Sequence, residues 1–438
     1  MYDKPLDPPE PSVGKLVMFV GIGLLLGVLL LGIPLGIGLG VSLQNARKSS
    51  SSSPKILTIV SDLPMATAGL DMKRWVQAET MRLEDVNYTA CGGNCFLSYI
   101  VMNHGLWTQN VTETDPTLVR RNANRIISIP SAIAVLGPKN SAASQVALPI
   151  LNLAQPGPLV MISPTSPYPG LTQKVASNPS EPDIYFPSGI RSFVRIMPND
   201  NVMAAAASRF IRTLGKKTVY LLDDGGSYGR GLSEAMLAAA VAENLIVTGN
   251  STISRTDFST YPPVMQTVST SYQNGPPDAI FFAMESIPAL SPLLRAKSSS
   301  GAASATSLGG SGFMSPSFLS NAGSYGEGVY ACIAGAPVST FPPRGQQFFQ
   351  DFQAKFGAGD DLLKTINAYE AMSVLLAAIE NVCSSGGDPS DRRTIRDAVF
   401  AIKDFSYALP SWSFDPSGDT TTVGANWFID RGGKWVPA

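Results

Sequence analysis

From Lys55 onward the chain alternates short apolar strands with helix-length stretches, and this alternation restricts the fold more than any other feature. Ile56 to Val60, Phe96 to Met102, Ala132 to Leu136 and Leu159 to Ile162 read as buried strands. Helical segments such as Asp71 to Val86 and Thr117 to Ile127 separate them. The pattern resumes with Thr218 to Leu222, Leu245 to Val247 and Ala279 to Phe282. Repetition of this kind predicts parallel sheets covered by helices on both faces, the α/β class. Further on, Met372, Leu375, Leu376, Ile379 and Val382 share the buried face of one helix. Two successive α/β units without a long linker predict two lobes around a cleft. Ligands in such folds sit at the carboxyl ends of the strands.

The N-terminal region has a different character. Residues 1 to 15 form a polar, proline-rich tail, and residues 16 to 43, LVMFVGIGLLLGVLLLGIPLGIGLGVSL, carry no charge. As a helix that segment would run about 42 Å, longer than the roughly 30 Å hydrocarbon core of a bilayer. A cleavable signal peptide has a shorter apolar region, and no cysteine follows to carry a lipid. The expectation is an uncleaved transmembrane anchor, with cleavage near Ala46 as the alternative. Lys4 and Lys15 on one side balance Arg47 and Lys48 on the other, so charge does not set the orientation. Gly32, Gly36 and Gly40 have the spacing that lets two membrane helices approach closely. They allow an anchor-mediated dimer, or are simply small residues in an apolar helix. Residues 44 to 54 read as a serine-rich stalk.

Composition removes several function classes. The 438 residues carry a formal net charge of −1 with 15% charged residues, so no basic face for nucleic acid is expected. His104 is the sole histidine, which argues against histidine-based catalysis and histidine-rich metal sites. Cys91 and Cys95 have three residues between them, the wrong spacing for a CxxC redox or zinc motif. A Cys91–Cys95 disulfide is expected, and Cys332 with Cys383 could make a second. Asn87, Asn110 and Asn250 each begin a glycosylation sequon.

Three motifs suggest chemistry. Gly225-Gly226-Ser227-Tyr228-Gly229 matches GxSxG after a strand, but no histidine follows Ser227, as such a hydrolase requires. Ser227 therefore reads as a turn residue. Asp223 and Asp224 are adjacent at a strand end and point to opposite faces, so they do not form an acid/base pair; Lys216-Lys217 reads as a solvated loop. The stretch AVLGPKNSAASQVALPILNLA, residues 134 to 154, runs from a strand through Gly137-Pro138 into a helix opened by Ser141. A helix start with unpaired N–H groups is an anion cradle. Ser141 is either the helix cap or a carboxylate ligand. The next strand ends in ISPTSPY, placing Thr165 and Ser166 at the same sheet edge.

AVLGPKNSAASQVALPIL, LVMISPTSPYPGLT, SFVRIMPNDNVMAAAASRFI and KKTVYLLDDGGSYGRGLSEAM occur in the order and spacing of the type I periplasmic binding proteins. The resemblance is to the branch that binds leucine, isoleucine and valine for ABC importers. DAIFFAMESIPALSPLLRA, SYGEGVYACIAGAP, INAYEAMSVLLAAIENV and FDPSGDTTT extend it over residues 55 to 438. It implies two Rossmann-like lobes joined by three crossing strands, preceded here by one transmembrane helix. Lobe 1 would hold residues 55–195 and 336–411, and lobe 2 residues 196–335 and 412–438. The crossings would fall near Arg195 to Pro198, Ala334 to Pro337 and Trp412 to Asp415.

The resemblance also implies site roles: Ser141, helped by Thr165 and Ser166, holds the ligand's α-carboxylate, and Tyr228 faces the cleft. Two departures stand out. Pro167 stands where amino-acid binders commonly have threonine, and Ser311 matches the carboxylate that receives the ligand's ammonium. A neutral serine cannot offset a buried ammonium. Glu285 could replace it from a neighbouring position; otherwise the ligand is an amide or simple acid. The implied function is a non-enzymatic, membrane-anchored extracytoplasmic binding protein that passes a small polar ligand to an ABC importer permease, without cofactor, metal or catalytic residues. The alternative is a ligand-sensing receptor ectodomain with the same clamp.

Overall fold

A computed structural model describes residues 54–65, 72–105, 115–285, 287–314, 316–357 and 362–438. The expected tail and anchor, all but the last residue of the stalk, and the Asn110 sequon lie outside the described residues.

The first sheet contains β1 (Lys55–Leu63), β2 (Thr89–Ala90), β3 (Cys95–Asn103), β4 (Ala132–Leu136), β5 (Val160–Ser163) and β6 (Phe193–Arg195), in the order β2-β3-β1-β4-β5-β6. All its pairings are parallel except the short β2–β3 edge. Helices α1 (Met72–Asp85), α2 (Pro116–Ile127) and α3 (Ser141–Asn152) make its crossovers. The expected strands are present with ends within one residue of prediction, except that β1 runs three residues further, to Leu63. Their burial differs: Phe96 and Val101 are exposed, because β3 has only the two-residue β2 beyond it, and Ile56 is exposed near the start of β1.

The second sheet has the order β13-β12-β11-β10-β9-β7-β8. Its parallel part comprises β7 (Thr218–Asp223), β8 (Ile246–Thr252), β9 (Ala279–Ala283), β10 (Thr306–Gly309) and β11 (Tyr330–Ala334). The last two strands, β12 (Ala425–Asp430) and β13 (Trp435–Pro437), add on antiparallel. Helices α4 (Asp200–Thr213), α5 (Ser227–Ala242), α6 (Tyr261–Ser269), α7 (Ile287–Ser298) and α8 (Pro316–Ala322) accompany this sheet. Its core includes Leu221, Phe281, Phe282 and Leu308.

The chain then returns to the first sheet through α9 (Pro343–Phe356), α10 (Leu362–Ser384) and α11 (Arg392–Phe400). α10 is apolar on almost every side and long enough to cross a membrane, yet it is a core helix. Met372, Leu375, Leu376, Ile379 and Val382 are all buried, in one cluster with Leu57, Ile59, Trp75 and Phe348. A helix apolar all round belongs inside a protein or a bilayer, and here the sheet and α1 cover it. The other face of the sheet packs Val60, Val135, Ile126 and Leu148 beneath α2 and α3.

Three segments joining the sheets run side by side. Ile196 to Pro198, Ile333 to Ala336, and Thr422 with Asn426 surround one small cavity. Gly335 N–H donates to the Gly424 carbonyl at 3.1 Å, and Asn426 Nδ2 donates to the Ala336 carbonyl at 3.0 Å. Trp412 and Phe414, at the expected third crossing, instead pack in the core of the first sheet. Trp412 Nε1 donates to Glu370 there at 3.2 Å.

The disulfide differs from the expectation. Cys91 is bonded to Cys383 across 292 residues, with Cα atoms 5.6 Å apart, while Cys95 and Cys332 are free and buried. The end of α10 packs against the β2–β3 turn and brings Cys383 to Cys91. The Cys91, Cys95 and Cys383 sulfurs lie within 4.8 Å of one another. The choice between partners is therefore made by tertiary packing, which local spacing does not report.

Candidate functional site

The site begins at the turn after β4. Gly137 has φ 96°, and a Cβ there would lie 2.8 Å from the Asp62 carbonyl, so only glycine fits. The chain then enters α3. Asn140 caps this helix, its side chain accepting the Ala143 N–H at 2.9 Å. Ser141 is therefore the first helical residue and not the cap. Its buried hydroxyl oxygen accepts the Tyr168 N–H at 3.1 Å. A hydroxyl that accepts there still has its own proton to donate, and it sits beside the positive end of α3.

The loop after β5 is pinned against this turn. Ser163 Oγ donates to the Pro138 carbonyl at 2.7 Å, and the Thr165 hydroxyl donates to the Lys139 carbonyl. Ser166 Oγ lies 2.8 Å from Ser144 Oγ and 3.1 Å from the Pro138 carbonyl. From below, Arg195 Nη1 donates to the Ser166 and Tyr168 carbonyls, 2.8 Å each. Arg195 is wholly buried and pairs with Asp419 at 2.6 Å, which also accepts from Thr172, Gln173 and Asn199. Burial pushes the Asp419 carboxyl up, but the Arg195 guanidinium and the Asn199 and Thr172 hydrogen bonds together leave it below the ordinary range.

The facing wall comes from the second sheet. Tyr228, second residue of α5, is buried with its hydroxyl 3.2 Å from Ser311 Oγ. Gly312 follows in close contact, since a Cβ there would meet the Met284 carbonyl at 2.2 Å. Glu285, just past β9, pairs with Lys139 Nζ across the cleft at 2.6 Å. Burial raises the Glu285 carboxyl, but Lys139, with Arg255 and Lys364 nearby, together hold it below the usual range. Lys364 of α10 donates to the Ser311 and Met314 carbonyls, 2.7 Å each.

Of the residues singled out in the sequence, Ser141, Thr165, Tyr228, Glu285 and Ser311 line one cavity, together with Pro167. Ser166 does not line it; its hydroxyl is used to brace the turn. Sequence reasoning missed Lys139, Asn140, Gly312 and Lys364, which also line it. Lys139 could have been noticed as a cation directly before the helix start, whereas Lys364 is remote in sequence and carried no signal. The rejected motifs stay structural. Ser227 Oγ donates to Gln145 at 2.6 Å. Asp223 accepts from Gly225 and Thr252, while Asp224 takes the Glu285 N–H and Arg255. Asp200, the first residue of α4, is fully buried with neither carboxyl oxygen hydrogen-bonded among the described residues. Burial pushes its carboxyl well above the ordinary range, against the pull of Arg195.

Two α/β units that meet over a cavity of hydroxyls, beside a helix N-terminus and three connecting segments, define a two-lobed solute-binding clamp. The model of a family described as periplasmic binding protein matches residues 110–429. The chain belongs to that family, as a type I periplasmic binding protein of the branched-chain amino acid group. It is 24% identical to a Leu/Ile/Val-binding protein of Rhizobium johnstonii over 305 residues, 69% of this chain and 74% of that protein. A leucine-binding protein from Thermotoga maritima has a similar fold, with a TM-score of 0.70 and 21% identity, over 87% of this chain and 97% of that one. So does a branched-chain amino acid transporter substrate-binding protein from Streptococcus pneumoniae in complex with isoleucine (TM-score 0.66, 17% identity, 87% and 98% covered).

Proposed function

We propose that this chain is the membrane-anchored solute-binding component of an ABC importer, holding a small carboxylate-bearing ligand between its lobes outside the cytoplasm. The observation that carries the reading is the Ser141 hydroxyl, which accepts from Tyr168 N–H and keeps its proton for a ligand at the start of α3. Ser141 and the first-turn N–H groups hold the carboxylate. Tyr228 and Ser311 offer hydroxyls from the other wall, and Glu285 acts with Lys139. Thr165 and Ser166 keep the cradle in shape. One lobe takes residues 55–195 with the return segment from 336, the other takes 196–335 with the C-terminal strands, and the third crossing falls at about residues 422–424. Closure of the lobes about the three crossings buries the ligand.

Similarity to a transporter's substrate-binding protein supports delivery to an ABC permease. Residues 16–43 tether the body to the membrane. The test is a thermal-shift screen of the full chain against amino acids, amides and small carboxylates. A carboxylate at a hundred times its Kd should stabilise by about 2.7 kcal/mol. Stabilisation by uncharged amides alone would overturn the carboxylate reading. Protease added to intact protoplasts should digest the body; a protected body would refute the tether and its orientation.

A further inference from the structure

We infer that Lys139 occupies the place a ligand's ammonium would take, so the cavity is built for an organic acid with a 2-oxo or 2-hydroxy group rather than for a zwitterionic amino acid. The inference rests on the carboxylate reading above and specifies its ligand class.

Among the described residues that line the cavity, Glu285 is the one carboxylate, and Lys139 Nζ already contacts it at 2.6 Å. Lys139 is itself buried, so its ammonium depends on that partner. An amino acid would seat its carboxylate on Ser141 and α3, leaving its ammonium to find an acceptor nearby. Sharing Glu285 would set two cations against one half-buried carboxylate, where they repel each other. Displacing Lys139 would strand a buried charge instead. Neighbouring acids offer no relief. Asp224 is engaged by Arg255 and the Glu285 N–H, and Asp200, which does not line the cavity, has its carboxyl raised by burial toward the neutral form. Ser311 is uncharged and faces Tyr228.

A 2-oxygenated acid meets none of these difficulties. An ammonium has three donors, and the Glu285 bond takes one of those on Lys139. The others suit a 2-oxo or 2-hydroxy oxygen placed next to the carboxylate. The protein thereby carries its own cation where an amino acid would bring one.

Matched pairs test this by titration calorimetry on the full chain: leucine with 4-methyl-2-oxopentanoate, phenylalanine with phenylpyruvate, and alanine with pyruvate. In at least one pair the oxo acid should bind about tenfold or more tighter than the amino acid. Lys139→Met should weaken the oxo acid about tenfold and narrow or reverse the preference. Glu285→Gln should weaken the oxo acid by loosening Lys139, without selectively harming the amino acid; a Tm measured for each variant separates lost affinity from lost folding. An amino acid that is the tighter partner in the native chain, or that alone loses affinity in Glu285→Gln, overturns the inference while leaving the carboxylate reading intact. Failure of every acid and amino acid to bind overturns both.

Discussion

Replacing Asp419 with alanine should destabilise the protein strongly and loosen the ligand cradle together. Asp419 is the counter-charge of Arg195, which is fully buried. Its removal leaves a guanidinium without a partner and strips acceptors from Thr172, Gln173 and Asn199. Breaking a buried pair from one side costs about 3–5 kcal/mol. Unfolding entropy of roughly 2 cal/mol/K per residue gives ~0.8 kcal/mol/K for a body of this size, so Tm should fall by about 4–6 °C. Arg195→Met removes the charge and also frees the Ser166 and Tyr168 carbonyls, so its loss should be similar. The double variant should be little worse than the poorer single, so the coupling should nearly equal one single loss, about 3–5 kcal/mol. Urea and thermal denaturation of the four proteins measure the cycle. A loss below 1 kcal/mol for Asp419→Ala, or simple additivity, would refute the claim that this pair braces the cradle.

Ser141→Ala should weaken a carboxylate ligand by about 1.5–3 kcal/mol, roughly ten- to a hundredfold. It should also cost about 1–3 kcal/mol of stability, because the Tyr168 N–H loses its acceptor; unchanged affinity by calorimetry would make Ser141 purely structural. Burial raises the Glu79 and Glu370 carboxyls from 4.5 to about 7, despite hydrogen bonds from Ser61 and Tyr99 to one and from Ala408 and Trp412 to the other. A folded state that keeps these protons while the unfolded chain releases them loses stability as pH rises from about 4.5 to about 7, by roughly 3 kcal/mol per group. Denaturation at stepped pH should show the fall, and Glu79→Gln or Glu370→Gln should flatten it. Cys383→Ser should lower stability by about 2–5 kcal/mol, since it opens the 292-residue link. A Tm equal to the parent's would show that the bridge contributes nothing.

The alternation of strands and helices settled the α/β class without any structure, because burial imposes a period of two on strands and 3.6 on helices. Buried Val60, Leu136, Leu221 and Phe281 lie inside strands the pattern had marked. The turn and helix start proposed to hold a carboxylate were legible for the same local reason: Gly137-Pro138 and the start of α3 are contiguous in sequence, so Ser141 is placed by its neighbours. Even there Asn140 and Ser141 are both capable of capping, and backbone angles in the folded chain decide between them.

Everything that depends on two distant segments meeting was decided by tertiary structure. Lys139 and Glu285 are 146 residues apart, and their pairing exists only because the two sheets present their strand ends to the same cleft. Arg195 finds Asp419 at a separation of 224 residues, and Cys91 takes Cys383 in preference to nearby Cys95. Such choices follow from which surfaces pack together and which charges must be neutralised once water is excluded. Local sequence determines the elements of this protein and the kind of group its helix ends can hold; packing determines which charges are already satisfied before a ligand arrives.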